Sequence, residues 1–412
     1  LDEETLPERF PTGRQIRPSD MRYHDVEIVP DQDGGERLLV TYNHYDLDGG
    51  CFVMRLDAAD LPESWRETDG GEAPLVWRSL FTTEPCLLPS DDRNTFSGNQ
   101  AGGRIVASPD GSVLFTTGDF EFDDNGRKVP AVSQVDGSTL GRVLRLDPET
   151  GAVTEVSRGH RNPQGLALDG SGNVWVAEHG PMGGDELNLI REGADYGWPS
   201  VSLGVFYTDA ASDAKSWPAN PRQGRHEGFE PPVHAWVPSI APSSMAHARN
   251  LDPRWDGDLI VATLISGSLH RLRLDGDAVL YDETIPLGRR IRDIVVAGGR
   301  IYLLFDDGQF GYMVPHEMVA MTDGPFDTGD AIYAAGCVEC HSGAGMPRLA
   351  GIVGSPVAGQ AGVAYSESLD RKDGTWTRDS LATFLRDPAA FAPGTTMPDP
   401  SLSEDRLTQV LD

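Results

Sequence analysis

Two cysteines three positions apart, with a histidine directly after the second, stand in Cys337-Val338-Glu339-Cys340-His341. That order suits covalent attachment of a c-type haem. Both thiols become thioethers to the vinyl groups, and the adjacent imidazole falls under the iron as its proximal ligand. A thioredoxin-like pair calls instead for a preceding strand in a βαβ setting, and tetrahedral zinc for a second ligand pair. Cys51 and Cys86 lie far upstream and are not spaced as CxxC. The distal ligand is expected at Met397, in Pro393-Gly394-Thr395-Thr396-Met397-Pro398, a loop that glycine and proline keep stiff and extended. Met346 stands close to the attachment site and His316 lies upstream in the linker, so neither suits the opposite face. Iron held by His341 and Met397 has a raised potential and suits electron transfer rather than oxygen chemistry.

Placing an imidazole and a thioether on opposite sides of one iron takes a small helical unit. Its parts appear in order from about Gly324 to Asp412. An amphipathic helix from Thr328 to Gly336 leads into CVECH and then Met346-Pro347-Arg348-Leu349-Ala350-Gly351. Tyr365-Ser366, Trp376-Thr377, a helix from Asp379 to Arg386 and the methionine loop follow. This order resembles the class I cytochromes c over nearly the whole segment. The resemblance implies a small all-α domain, residues 319–412, carrying haem c on Cys337, Cys340, His341 and Met397.

At 412 residues the chain is too long for one ordinary core, so a second domain is expected upstream. Acidic residues number 64 against 34 basic, a net charge of −30. That argues against nucleic-acid or anionic-membrane binding and favours a basic partner, such as a basic cytochrome as electron acceptor. No run approaches the roughly 18 apolar residues of a membrane span. The opening Leu1-Asp2-Glu3-Glu4 has neither initiator methionine nor apolar signal core and reads as processed or trimmed. Haem attachment of this kind belongs outside the bacterial cytoplasm, so a soluble periplasmic or otherwise exported protein is expected. There Cys51 and Cys86 can form a disulfide; two buried thiols remain the alternative, because sequence gives no distance between them.

Upstream of residue 320, helix patterns are scarce and one phrase returns: strand, tight turn, strand. It runs from Gly103 to Asp119, from Gly165 to Gly180 and from Arg292 to Gly308, with a looser copy from Asp25 to Asp46. A second phrase recurs between them, Val53-Met54-Arg55-Leu56-Asp57, Val143 to Asp147 and His270 to Asp275. Paired hairpins repeated in this way predict an all-β propeller, taken as residues 1–318 with six blades. A β-sandwich gives no reason for the repeated phrase.

Polar clusters close several of these phrases at the same relative place. They are Thr117-Gly118-Asp119 and Glu178-His179-Gly180-Pro181, the latter running on to Asp185-Glu186-Leu187-Asn188 and Asp195-Tyr196-Gly197-Trp198-Pro199. His160-Arg161-Asn162-Pro163-Gln164-Gly165 stands just before. With the stretch from Trp236 to Ser244 and Arg290-Ile291-Arg292-Asp293, these phrases resemble the soluble quinoprotein glucose/aldose sugar dehydrogenases over about Asp25 to Tyr312. The resemblance implies a propeller that holds pyrroloquinoline quinone (PQQ) and calcium and oxidises a sugar or related alcohol. By that resemblance Arg161, Arg290 and Arg292 bind the cofactor's carboxylates and quinone oxygen, and Gln164 lies beside it. The carbonyls of Gly180 and Pro181 hold calcium, and Glu186 with Tyr196 holds a second. General chemistry agrees: guanidiniums grip carboxylates two bonds at a time, and a hard cation takes oxygen ligands.

Two positions depart from the family pattern. Its catalytic histidine falls at Gln100, whose amide cannot take a proton, and its cofactor lysine falls at Ile265. Asp119 is the expected substitute base, since a carboxylate performs the same abstraction. The match also begins after the family's first strand pair, which leaves the ring's closure unexplained. The expected function is a quinohaemoprotein dehydrogenase that passes electrons to its own haem across a short linker, Pro315 to Asp323. The alternatives are a cofactor-less propeller that serves as a scaffold for the cytochrome, or as its interface in a larger redox complex.

Overall fold

The computed structural model describes residues 20–31, 34–62, 75–89, 96–123, 131–204, 224–314, 351–395 and 402–411, with residues 17, 65, 337, 341, 347, 349, 397 and 400. The chain divides into two compact units, Leu1–Met313 and Val314–Asp412.

In the first unit the recurring phrase folds as antiparallel hairpins. The first sheet holds β1 (Tyr23–Pro30), β2 (Glu36–Asp46), β3 (Cys51–Leu61) and β4 (Trp77–Thr82). The second holds β5 (Gly102–Ala107), β6 (Val113–Thr117), β7 (Arg142–Leu146) and β8 (Val153–Arg158). The third is built from β9 (Pro163–Leu168), β10 (Val174–Glu178) and β11 (Asp185–Leu189). A short β12 (Ala194–Asp195) returns to pair with β8, and β13 (His234–Trp236) completes the third sheet. The fourth holds β14 (Pro242–His247), β15 (Leu259–Thr263), β16 (Ser268–Asp275) and β17 (Ala278–Pro286). The fifth holds β18 (Ile291–Ala297), β19 (Arg300–Phe305) and β20 (Phe310–Met313).

The first strand of each sheet lies against the first strand of the next: β1 on β5, β5 on β9, β9 on β14, β14 on β18. The sheets therefore radiate from one axis as propeller blades. Where the sequence reading expected six blades, five sheets stand among the described residues. The fourth escaped the repeat because β14 and β15 are joined by residues 248–258 rather than by a tight turn.

Strand residues alternate between neighbouring seams, so both faces are apolar. Val113 and Phe115 on β6 join Leu39, Phe52 and Leu56 of the first sheet, while Leu114 between them joins Leu166 and Val176 of the third. Trp175, Leu187 and Trp236 meet Met245, Leu259 and Val261 in the next seam, and Ile260 and Leu269 meet Ile294 and Leu303 in the last. The tight turns are set by aspartate: Asp110 Oδ1 accepts from Ser112 N–H (2.9 Å), and Asp169 Oδ1 from Ser171 N–H (2.8 Å).

At the axis, buried Arg104 on β5 ties the inner strands together. Its guanidinium donates to Gln164 O (2.8 Å), Ser243 O (2.6 Å), Arg292 O (3.2 Å), Asp293 (2.8 Å) and Asp25 (3.3 Å). Cys51 and Cys86 form a disulfide, Cα to Cα 5.7 Å, which settles the alternative left open by sequence. Linking residues 35 apart restricts the unfolded chain and stabilises the fold by roughly 3–4 kcal/mol.

The second unit is helical where it is described: α1 (Glu367–Asp370), α2 (Arg378–Arg386), α3 (Pro388–Phe391) and α4 (Glu404–Leu411). Thr377 caps α2, its hydroxyl accepting from Ser380 N–H while Ser380 Oγ accepts from Thr377 N–H. Leu369, Trp376, Leu381, Phe384 and Ala392 form the core. The expected helix from Thr328 to Gly336, the linker from Pro315 to Asp323, Met346, His316 and Leu1 to Glu4 lie outside the described residues. Among the described residues no helix is long and apolar enough to cross a membrane.

Candidate functional site

The innermost strands run the same way along the axis, so the residues just before them share one rim. Arg22 precedes β1, Gln100 stands two residues before β5, Arg161 two before β9, and Arg290 one before β18. Hydrogen bonds follow this rim from Gln100 to Asp306. The Gln100 amide oxygen accepts from Arg161 Nη2 (2.9 Å), and Arg161 Nη1 donates to the carbonyls of His179 (3.3 Å) and Gly180 (3.0 Å). Gly180 N–H is held by Asp185, which also clamps Ser239, Ile240 and Ala241. Leu264 and Ile265 N–H bond to Ala241 and Ile240 carbonyls, and Arg290 Nη1 reaches Leu264 O (3.5 Å). Arg290 and Arg292 share Asp306. Arg22 stands before the first of these strands: burial and the like charge of Arg292 pull its pKa down, and Asp20, Asp306 and Glu121 hold it up. Glu121 Oε1 lies 3.5 Å from the Gln100 amide oxygen.

Arg161, Arg290, Arg292, Gln100 and Gly180 thus line one mouth. Gln164, on β9, lies one turn of the pleat below it, and Ile265 sits on the rim with its side chain 66% exposed. The Gln100–Asp119 approach depends on a glycine: a Cβ on Gly118 would fall 1.8 Å from Gln100 O. Asp119 is fully buried behind the rim. Its Oδ1 accepts from Glu121 N–H (2.9 Å) and the Gln100 amide nitrogen (2.8 Å), and its Oδ2 from the Trp198 indole (2.7 Å). Burial and the charge of Asp123 push its carboxyl up to about 8, against the pull of Arg161 and those donors. The Arg161 guanidinium lies over the Trp198 ring at 5.2 Å, and its Nε has no hydrogen-bond partner among the described residues.

Beside Arg161 a small cleft, with room for little more than a water or an ion, is lined by Glu178, Gly180, Glu186, Tyr196 and Trp198. Glu178 receives His160 Nδ1 (2.8 Å), Arg161 N–H (2.7 Å) and Asn188 Nδ2 (2.9 Å). Burial and the neighbouring Glu178 charge push Glu186 up to about 8, and Asn188 Oδ1 has no hydrogen-bond partner among the described residues. The Tyr196 hydroxyl donates to Leu189 O (2.6 Å) and accepts from Arg191 N–H (2.9 Å), so its carbonyl is the oxygen it can offer a cation. Pro181 is buried next to Gly180.

In the second unit His341 N–H closes one helical turn on Cys337 O (3.0 Å). The ring Nδ1 lies 2.8 Å from Pro347 O, which fixes the tautomer with the N–H there and leaves Nε2 as the lone-pair nitrogen. Met397 packs against the aromatic core cluster. Cys340 lies outside the described residues.

With that geometry in hand, comparison with known proteins is decisive. The model of the Glucose / Sorbosone dehydrogenase family matches residues 82–313. The chain belongs to that family. An aldose sugar dehydrogenase of Escherichia coli, YliI, is 30% identical over 302 residues, covering 69% of this chain and 74% of the relative. An uncharacterized protein of Synechocystis is 35% identical over 261 residues, covering 57% of this chain; the chain spans only 58% of that relative's length. A solved glucose dehydrogenase structure matches with TM-score 0.58 and 28% identity, over 71% of this chain and 82% of its own. The C-terminal segment is separately related to cytochrome c: that of Guizotia abyssinica is 33% identical over 87 residues, 20% of this chain and 78% of the relative. The chain is therefore a dehydrogenase-family propeller followed by a cytochrome c-like unit.

Sequence reasoning picked out the arginines of this rim and the cluster at Glu178 but passed over Arg22 and Glu121. Their signal is positional: each stands near the rim end of an inner hairpin, which only the strand register makes visible.

Proposed function

We propose that this protein is a periplasmic quinohaemoprotein that oxidises a sugar or related alcohol at a PQQ- and calcium-bearing mouth and delivers the electrons to its own c-type haem. The observation that supports this reading is the run of hydrogen bonds that leads from Gln100 and Arg161 through Gly180, Asp185 and the Ile240–Ala241 turn to Arg290, Arg292 and their shared Asp306. The residues fit the groups. A tricarboxylate finds guanidiniums, one with a buried Nε to spare. A divalent cation finds Glu186, Glu178 and carbonyl oxygens whose crowded negative charge it would relieve. Iron finds a histidine whose ring is already oriented by Pro347, and Met397. When bound, the quinone supplies a two-electron hydride acceptor and the haem a one-electron carrier. Arg161, Arg290 and Arg292 hold carboxylates; Asp119 and Trp198 fix the Arg161 guanidinium; Asp185 keeps the Gly180 loop in register.

Gln100 and Ile265 favour a second reading, a propeller without quinone that serves as a scaffold, because each removes a charge-bearing family residue. Titrating purified protein with PQQ in the presence of calcium separates the two. Stoichiometric uptake seen by quinone absorbance, followed by appearance of the haem α band on adding aldose, is expected. No uptake would leave the scaffold reading.

A further inference from the structure

Glu121 stands at the rim on strained backbone. Phe120 and Glu121 take left-handed φ of 53° and 68°, and Gln100 opposite takes 55°. Each costs a non-glycine residue on the order of 1 kcal/mol and persists only where surroundings dictate it. Here Phe120 N–H is held by Gln100 O (3.1 Å) and Glu121 N–H by Asp119 Oδ1 (2.9 Å). The twist brings Glu121 Oε1 to 3.5 Å from the Gln100 amide oxygen, a contact between two acceptors, with Ser97 Oγ donating to its Oε2 at 2.8 Å. Half-buried, Glu121 stands beside Gln100, which touches Arg161.

The other candidates for proton acceptor at this place are less well placed. Gln100 carries an amide. Asp119 is fully buried behind the rim, whereas Glu121 is only half-buried. We propose that Glu121 is the general base of the alcohol oxidation, with Asp119 as a positioning residue behind it; this rests on the PQQ dehydrogenase reading above. The substrate O–H bond breaks with its proton passing to a Glu121 carboxylate oxygen. The freed electron pair becomes the second C–O bond, and the carbinol hydrogen leaves with its own pair as hydride to the o-quinone acceptor. Two electrons and two hydrogens are thus removed, and the product is a carbonyl or lactone.

The test uses the full chain loaded with PQQ and calcium, comparing wild type with Glu121→Gln, Glu121→Asp and Asp119→Asn. Quinone uptake is followed by absorbance titration, and reduction of bound quinone by stopped flow with a panel of aldoses and simple alcohols across pH. Glu121→Gln should take up quinone within about twofold of wild type yet be reduced about 100-fold or more slowly, with the acid limb of its pH profile lost. Glu121→Asp should keep that limb at an intermediate rate, and its limb decides the matter if the glutamine variant fails to fold. Near wild-type reduction in Glu121→Gln, or loss of the limb only in Asp119→Asn, would overturn the proposal. Wild type that takes up no quinone, or is reduced by none of the panel, sinks the dehydrogenase reading itself and this step with it.

Discussion

Arg161 is gripped from several sides: its carbonyl by Asp119 N–H, its own N–H by Glu178, its guanidinium by Gln100, Gly180 and the Trp198 face. Such preorganisation means little ordering remains to be done when an anion arrives. Arg161→Met is expected to weaken quinone uptake by roughly 10- to 100-fold, the worth of a charged hydrogen-bonding group, measured by equilibrium absorbance titration. Arg161→Lys should fall between, keeping charge but losing the fork. A second residue-scale prediction concerns Glu27 at the axis. Burial and the Asp25 charge raise its carboxyl to about 7, against a hydrogen bond from Ala107 N–H. Its folded pKa lies above the unfolded one, so the associated stability is present below about 4.5 and lost as pH rises through about 7. Between about pH 5 and 8, wild type should therefore lose roughly 1–2 kcal/mol relative to Glu27→Gln, discounted for partial exposure, as read from urea midpoints.

At the scale of strands, Arg104 joins five inner strands through side-chain bonds that no backbone ladder could make, because those strands do not pair with one another. Removing it leaves the largely buried Asp25 and the partly exposed Asp293 without their cation. Arg104→Met should cost about 3–5 kcal/mol in denaturant melts, and adding Asp25→Asn and Asp293→Asn should recover part of that. The hairpins themselves were legible in sequence wherever an aspartate-led turn marked them, as at Asp110 and Asp169. The β14–β15 hairpin was not, because its long loop hides the period. The motif Gly102-Gly103-Arg104 was visible as a phrase, but its arginine's reach across the axis was not.

For the molecule as a whole, the proposed function has the propeller and the cytochrome unit act in series, which makes the two halves separable by mutation. Met397→Ala should lower the haem potential in a redox titration and slow electron exit, while leaving substrate reduction of bound quinone unchanged. Equal loss of both would mean the units do not act in series. With a net charge of −30, the rate of electron delivery to a basic cytochrome should fall steeply as ionic strength rises, since long-range attraction is screened beyond about 10 Å at 0.1 M.

Sequence alone determined what is encoded in contiguous residues: the Cys337-to-His341 attachment motif, the strand–turn–strand period, and the cluster phrases around Arg161, Gly180 and Arg290. These are local because covalent spacing and turn chemistry act over a few residues. Tertiary structure decided what depends on loops far apart in the chain meeting at one rim. It placed Glu121 beside Gln100, set Asp119 behind both, and brought Cys51 to Cys86. Burial and the approach of charges fix those roles, and neither is a property of a residue's neighbours in sequence.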